Sequence, residues 1–263
     1  MPPVKLSACI EMLFNDGTEF VDRIDKAAAC GLSAFEFWGW NGKDLPAIRQ
    51  RADKLGMTLA AFCVVAAKPL VDPEGTAEWV AGAEESIAKA KEFGCPTLIA
   101  TTGNEMAICR TKQHASIVAG LKAAAPAAEA AGITLVLEPL NILVDHKGYY
   151  LSTSAEGFEI IREVGSPNVK LLFDVYHQVI TEGNVIQNLT AGIDLIGHFH
   201  MADVPGRHEP LTGEINYENV FKAIAATNYA GYVGMEFMPT GCHTEAAKTT
   251  MKLAGAGCCC CGG

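Results

Sequence analysis

Short runs rich in β-branched and aromatic residues alternate with longer amphipathic stretches along the chain. The runs that read as strands are 4–12, 33–39, 58–66, 96–102, 134–141, 169–177, 195–203 and 232–239. Between them apolar residues recur at steps of three and four. Trp79, Val80, Ala83, Ile87, Ala90 and Phe93 form one such series, Phe158, Ile161 and Val164 a second, and Tyr217, Val220, Phe221 and Ile224 a third. That spacing lines one face of a helix. Gly31, Gly56, Gly94, Gly132, Gly165 and Gly231 each stand just before the next strand, where a left-handed residue would close a helix. Thr18, Asp44, Thr76, Ser154 and Asn216 occupy expected N-cap positions, where a short polar side chain meets free backbone amides.

Eight strand–helix units spaced roughly 30 residues apart predict an α/β fold, a single (β/α)8 TIM barrel over residues 1–255. A doubly wound open sheet would carry a glycine-rich phosphate turn after its first strand, and Phe14-Asn15-Asp16-Gly17 is not one. Residues 256–263 form a Gly/Cys-rich tail with the run Cys258–Cys261, expected to be disordered. The other six cysteines are scattered singly and read as small reduced hydrophobes.

The pattern also places the chemistry, because barrel enzymes carry it at the C-terminal ends of the strands. The fifth to eighth strands begin apolar and turn polar. LVLEPLN delivers Glu138 and Asn141, LLFDVYHQ delivers Asp174 and His177, IGHFHMAD delivers His198, His200 and Asp203, and VGMEFMPTG delivers Glu236. Carboxylates gathered in a water-poor mouth are costly to ionise, and a divalent cation removes that cost. Glu138, Asp174, His200 and Glu236 make an oxygen-rich set with one imidazole, suited to Mg²⁺, Mn²⁺ or Co²⁺. His200 lies nearer the strand end than His198, which leaves His198 as a supporting or core residue. The alternative is a hydrogen-bonded polar layer without metal.

Further residues border these ends. Arg207 follows in Val204-Pro205-Gly206-Arg207-His208-Glu209-Pro210, placed either to grip a substrate carboxylate or to pair with Glu209. In AFEFWGW, Glu36, Trp38 and Trp40 share one face. The tryptophans wall the pocket or cap the rim, and Glu36 requires a partner: a lysine, a backbone amide or the substrate. Acidic residues outnumber basic ones 30 to 20, for a net charge of −10, which argues against a nucleic-acid partner. No apolar run is long enough for a membrane span, and the first residues lack the features of a secretory leader, so a soluble cytoplasmic protein is expected.

The motifs EPLN, FDVYH, GHFHMADVPGRHEPLTGEINY and GMEF resemble the hydroxypyruvate isomerase-like members of the xylose isomerase-like barrel superfamily. The resemblance runs over nearly the whole chain, and ADVPGRHEP with TGEINY is its most specific part. It implies metal ligation by Glu138, Asp174, His200 and Glu236, with Glu138 and Glu236 as the proton-transfer pair. It also implies substrate contacts from His177 and Arg207, and by resemblance only a homo-oligomer. Two segments depart from the family pattern: residues 142–149 after EPLN, and FWGW.

Together these readings predict a metal-dependent isomerase of a small hydroxy-keto acid, interconverting hydroxypyruvate and tartronate semialdehyde through an enediolate. Candidate substrate contacts are His177, Arg207, Glu36 and Trp38. The nearest rival is a ketose 3-epimerase acting on free sugars of the tagatose or allulose type. A sugar-binding barrel without activity is a further alternative. An endonuclease for abasic DNA would need more His and acidic ligands on the second to fourth strands and a basic mouth. The third strand instead ends in Cys63-Val64-Val65-Ala66.

Overall fold

The computed structural model describes residues 4–255. Eight parallel strands close into a barrel in sequence order: β1 (Lys5–Cys9), β2 (Ala34–Gly39), β3 (Thr58–Cys63), β4 (Thr97–Ala100), β5 (Thr134–Leu137), β6 (Val169–Asp174), β7 (Ile196–Met201) and β8 (Tyr232–Met235). Closure is made by β1 against β8, with Lys5 opposite Tyr232 and Ala8 opposite Met235. The helices are α1 (Arg23–Ala29), α2 (Leu45–Leu55), α3 (Thr76–Phe93), α4 (Arg110–Ala131), α5 (Ser154–Val164), α6 (Val175–Thr181), α7 (Val185–Ala191), α8 (Tyr217–Ala225) and α9 (His243–Leu253). The expected Gly/Cys tail at 256–263, with Cys258–Cys261, lies outside the described residues. The six scattered cysteines are unpaired. No helix among the described residues is long and apolar enough to cross a membrane.

Seven of the eight strands end short of the C-terminal limit that the hydrophobic pattern suggests, β2 alone reaching Gly39 as expected, and the remaining residues of those runs lie in the loops and helix starts at the mouth. The correction that matters most for the site is at β6, where the pattern continued to His177. Asp174 ends the strand, and its carboxylate accepts from the amides of Tyr176 and His177, so a helix starts one residue later. Gly56, Gly94, Gly132 and Gly165 are left-handed helix ends as expected. Gly231 is not, since α8 stops at Ala225 and the chain reaches β8 through a longer turn. Asp44 and Asn216 cap as read, whereas Thr153 rather than Ser154 caps α5, Gly75 rather than Thr76 precedes α3, and Thr18 bonds Asp16 instead.

Two apolar layers flank the barrel wall. The outer one packs strand residues such as Leu135, Leu137, Leu171 and Phe173 against the helices. The inner one, Ala61, Ile99, Val136 and Leu172, fills the barrel axis. Removing such side chains from water contributes about 1.5–3 kcal/mol for each large one. It also seals the floor beneath the mouth, so polar groups set above it are cut off from water on one side.

Candidate active site

On that floor stand the four residues the strand ends predict. Glu138 follows β5, Asp174 ends β6, His200 lies on β7 and Glu236 follows β8, and one ligand-capable atom from each lies within 4.8 Å of the others. All four are buried. His200 Nδ1 is 3.3 Å from Glu138 Oε1 and 3.4 Å from Glu236 Oε2, but its alignment closes no hydrogen bond with either. A buried acceptor nitrogen facing carboxylate oxygens is unfavourable unless a positive charge sits between them.

The charge balance points the same way. Four buried carboxylates, those of Glu36, Glu138, Asp174 and Glu236, share the interior with one partly buried guanidinium and three imidazoles, those of His177, His198 and His200. Burial pushes Asp174 up, to about 6, and the nearby Glu236 adds to the rise. Burial would push Glu236 up as well, but Arg207 and His200 hold it well below the usual carboxylate range. His200 is held protonated against the cost of burial by the charges of Glu236 and Glu36. A proton there and a cation in the cluster answer the same excess of negative charge. The donor set, three carboxylates and one imidazole, is the kind that holds a hard divalent cation in a few oxygen and nitrogen bonds. The residues fit such an ion.

Around the quartet the predicted contacts sort themselves. Arg207 donates from Nη2 to Glu236 Oε2 and lies over the Tyr176 ring at 5.3 Å, so it is part of the mouth. The alternative pairing with Glu209 is not made: Glu209 accepts from the Thr240 amide and hydroxyl. The loop carrying Arg207 is pinned by Asp203, whose carboxylate accepts from the amides of Val204, Gly213 and Ile215 at 2.9–3.0 Å. Gly213 passes so close to the Val204 carbonyl that a Cβ there would overlap it.

Trp38 reaches the same carboxylate, donating from Nε1 to Glu236 Oε1 at 2.7 Å while 44% of its surface stays open to the mouth. Trp40, read onto the same face, turns outward and donates to Ser86 on α3. The register of β2 against β3 shifts between Glu36 and Gly39, which breaks the alternation that the sequence reading assumed.

Glu36 does not face the mouth in the way the sequence suggested. Its carboxylate accepts from Ser7 Oγ at 2.6 Å, meets His198 Nε2 at 3.1 Å and lies 2.7 Å from His200 Nε2. The partner it required is a pair of imidazoles and a hydroxyl, so a substrate contact is replaced by a place behind the ligand residue. The imidazoles, whose favourable charges outweigh burial, bring its pKa down to about 2.

His177 is fully buried in the first turn of α6, with Nε2 at 3.5 Å from Asp174 Oδ2. Its Nδ1 faces the Asn141 amide at 3.2 Å and Asn141 Nδ2 at 2.7 Å, both donors, which leaves the ring proton on Nε2. Burial and the charge of Arg207 push its pKa to about 3, so it is a neutral donor. Asp145 holds this arrangement from outside, accepting from Asn141 Nδ2 at 2.7 Å and the Tyr176 hydroxyl at 2.8 Å. The sequence reading gave no role to Asp145 or Tyr176. The one available signal for Asp145 was that 142–149 departs from the family pattern, and Tyr176 stood in the FDVYH motif beside Asp174.

Comparison with known proteins agrees with this fold. The family model described as xylose isomerase-like TIM barrel matches residues 24–253. The 2-oxo-tetronate isomerase of Cupriavidus necator is 34% identical over 244 residues, covering 89% of this chain and 93% of that one. The hydroxypyruvate isomerase of Escherichia coli is 32% identical, covering 90% and 94%. Among solved structures, a family 2 AP endonuclease from Brucella melitensis superposes with a TM-score of 0.88 at 25% identity, over 93% of this chain and 96% of that one. With its closed barrel and the match running from α1 to α9, this chain belongs to the xylose isomerase-like TIM-barrel family and is an isomerase of the hydroxypyruvate isomerase-like kind.

Proposed function

We propose that the protein is a divalent-cation-dependent isomerase that interconverts a 2-keto acid bearing a neighbouring hydroxyl with its 2-hydroxy-aldehyde isomer. Hydroxypyruvate to tartronate semialdehyde is the reference reaction. The observation that carries this reading is the juxtaposition of the Glu138, Asp174, His200 and Glu236 cluster with a guanidinium at the same mouth. The names of the two isomerase relatives support the substrate class, since both denote small keto acids.

In this reaction C3 loses a proton, C2 gains one, and the hydroxyl proton passes from O3 to O2. Glu138, Asp174, His200 and Glu236 would hold Mg²⁺, Mn²⁺ or Co²⁺, which when bound supplies Lewis-acid polarisation of the carbonyl and neutralises charge developing on oxygen. Everything else falls to the chain's own residues. Glu236 has both oxygens engaged, by Trp38 and by Arg207, and its low pKa makes it a weak base. Glu138 makes one charged contact among the described residues, to His200, and its other oxygen is uncommitted. We assign the first proton abstraction from C3 to Glu138, and the return of a proton to C2 to Glu138 or Glu236. The neutral His177 offers its Nε2–H to a substrate oxygen, a donor whose charge does not change over the neutral range. Arg207 grips the carboxylate with two parallel hydrogen bonds. Trp38 covers the mouth and limits water.

The test is a panel of hydroxypyruvate, 2-oxo-tetronate, fructose and tagatose with Mn²⁺, products resolved by chromatography. Turnover of the keto acids alone is expected. Epimerisation of the neutral ketoses with no turnover of keto acids would replace this reading by the 3-epimerase.

A further inference from the structure

Behind the cluster, on the side away from the mouth, the barrel holds a second layer of polar groups. Ser7 on β1, Glu36 on β2, and His198 and His200 on β7 meet there, though Glu36 and His198 are 162 residues apart. All four are buried to within two per cent of full burial. Buried polar groups of this kind are costly unless each meets a partner, so their grouping calls for a physical account. Space has been cleared for it: a Cβ on Gly234 would overlap Glu36 Oε1 and approach His200 Cδ2 to 2.7 Å.

The contact between Glu36 and His200 carries information about a hydrogen that the heavy atoms do not show. A carboxylate oxygen and an imidazole nitrogen 2.7 Å apart repel if both present lone pairs. As placed, the ring closes no full hydrogen bond there, but both atoms are buried with no other partner, so the arrangement that makes this short contact attractive has the proton on Nε2. Once a cation takes the place of the second ring proton, Nδ1, on the far side of the ring, turns its lone pair toward Glu138 and Glu236, which lie at 3.3 and 3.4 Å. The other oxygen of Glu36 is fixed by Ser7 Oγ at 2.6 Å and His198 Nε2 at 3.1 Å, so the carboxylate cannot rotate away without losing two partners.

We propose that Glu36 is a positioning residue that, held by Ser7 and His198, fixes His200 as the Nε2–H tautomer and so presents Nδ1 as the nitrogen ligand of the cation site. The inference rests on the metal-dependent reading above and deepens it. A carboxylate behind a ligating imidazole orients the ring and raises its basicity, and loss of such a partner typically lowers metal affinity 10–100-fold. Glu36→Gln tests the tautomer directly. A carboxamide has the same shape, but its NH2 can donate to Nε2, and the ring proton then moves to Nδ1, into the position the cation needs.

The experiment is Mn²⁺ titration by calorimetry on the full-length wild type, Glu36→Gln and Ser7→Ala. Alongside it, long-range proton–nitrogen NMR of ¹⁵N-histidine-labelled wild type saturated with Mg²⁺ at pH 8, where the diamagnetic cation takes the place of the second ring proton, reads the His200 tautomer. Expected are Mn²⁺ binding by wild type, a 10–100-fold loss in Glu36→Gln, a smaller loss in Ser7→Ala, and an Nε2–H signature for His200. Equal Mn²⁺ affinity in wild type and Glu36→Gln overturns the inference, as does an Nδ1–H signature in wild type. Absence of Mn²⁺ binding by wild type instead overturns the metal-dependent reading and this inference with it. The NMR measurement decides the tautomer if Glu36→Gln does not fold.

Discussion

Asp174 and His177 are tied twice. Asp174 Oδ1 accepts from the His177 backbone amide at 3.3 Å, and Asp174 Oδ2 lies 3.5 Å from the His177 ring nitrogen Nε2. One carboxylate thus starts α6 and enters the cluster of Glu138, His200 and Glu236, and the helix it caps carries the imidazole that faces the same mouth. The local fold and the site are specified by the same side chain, which separates the consequences of two substitutions.

Asp174→Asn retains an oxygen for the Tyr176 amide, whereas Asp174→Ala removes the cap, a change that costs about 0.5–2 kcal/mol in helix stability. In chelator, Asp174→Asn should melt close to wild type and Asp174→Ala several degrees lower. With Mn²⁺ the wild type should gain thermal stability and both variants should gain much less. Thermal melts with and without Mn²⁺ check this. A full Mn²⁺-dependent gain in Asp174→Asn would remove Asp174 from the ligand set.

The two glutamates should differ. Glu138→Gln should lower turnover ~10²–10⁴-fold, the range for loss of a general base, and should abolish exchange of the substrate C3 proton with solvent deuterium. Both variants should weaken Mn²⁺ binding, since both glutamates belong to the proposed ligand set, but Glu236→Gln at saturating Mn²⁺ should lower turnover while some C3 exchange persists. Proton NMR of the substrate in D2O distinguishes them. Products free of deuterium in the wild-type reaction would mean hydride transfer and not an enediolate.

Arg207→Lys keeps the charge but loses the planar fork. Charge-assisted hydrogen bonds contribute about 1.5–3 kcal/mol each, partly offset by desolvation. KM for a keto acid should rise at least tenfold, with any residual turnover of a neutral ketose nearly unchanged. Steady-state kinetics on both substrates provide the comparison, and equal effects on both would make Arg207 a structural partner of Glu236 and Tyr176.

His177 gives the protein a defined pH dependence. Its pKa falls from 6.5 to about 3 on folding, mainly through burial, so the unfolded chain takes up the proton first as pH falls. The stability linked to it is fully present above pH 6.5 and is lost progressively toward pH 3. Between pH 7 and pH 5 the loss amounts to about 2 kcal/mol, at 1.36 kcal/mol per unit below 6.5. Asp174 acts in the opposite sense near pH 6, so the comparison is made against His177→Gln, which keeps Asp174. Urea unfolding in chelator at the two pH values should show a steeper loss for wild type than for the variant. Parallel losses would show that His177 is accessible to protons in the folded state.

Periodicity in the chain was sufficient to fix the barrel and the quartet. Strand and helix periods are local properties, four glycine ends are set by backbone conformation at single residues, and a ligand placed at a strand end needs no knowledge of distant chain. Thus Glu138, Asp174, His200 and Glu236 could be read before any fold was seen. The partners of these residues were decided by closure. Glu36 on β2 and His200 on β7 are neighbours neither in sequence nor in the strand order of the barrel, and they meet only across its interior. The outward turn of Trp40 depends on a register shift between two strands, and the place of His177 on a helix depends on whether Asp174 caps or continues its strand. Arg207 was legible as a cation near the mouth. Its choice of Glu236 over the nearby Glu209 follows from the distance that the Asp203-pinned loop spans, because electrostatic pairing inside a protein is settled by separation and burial rather than by order along the chain.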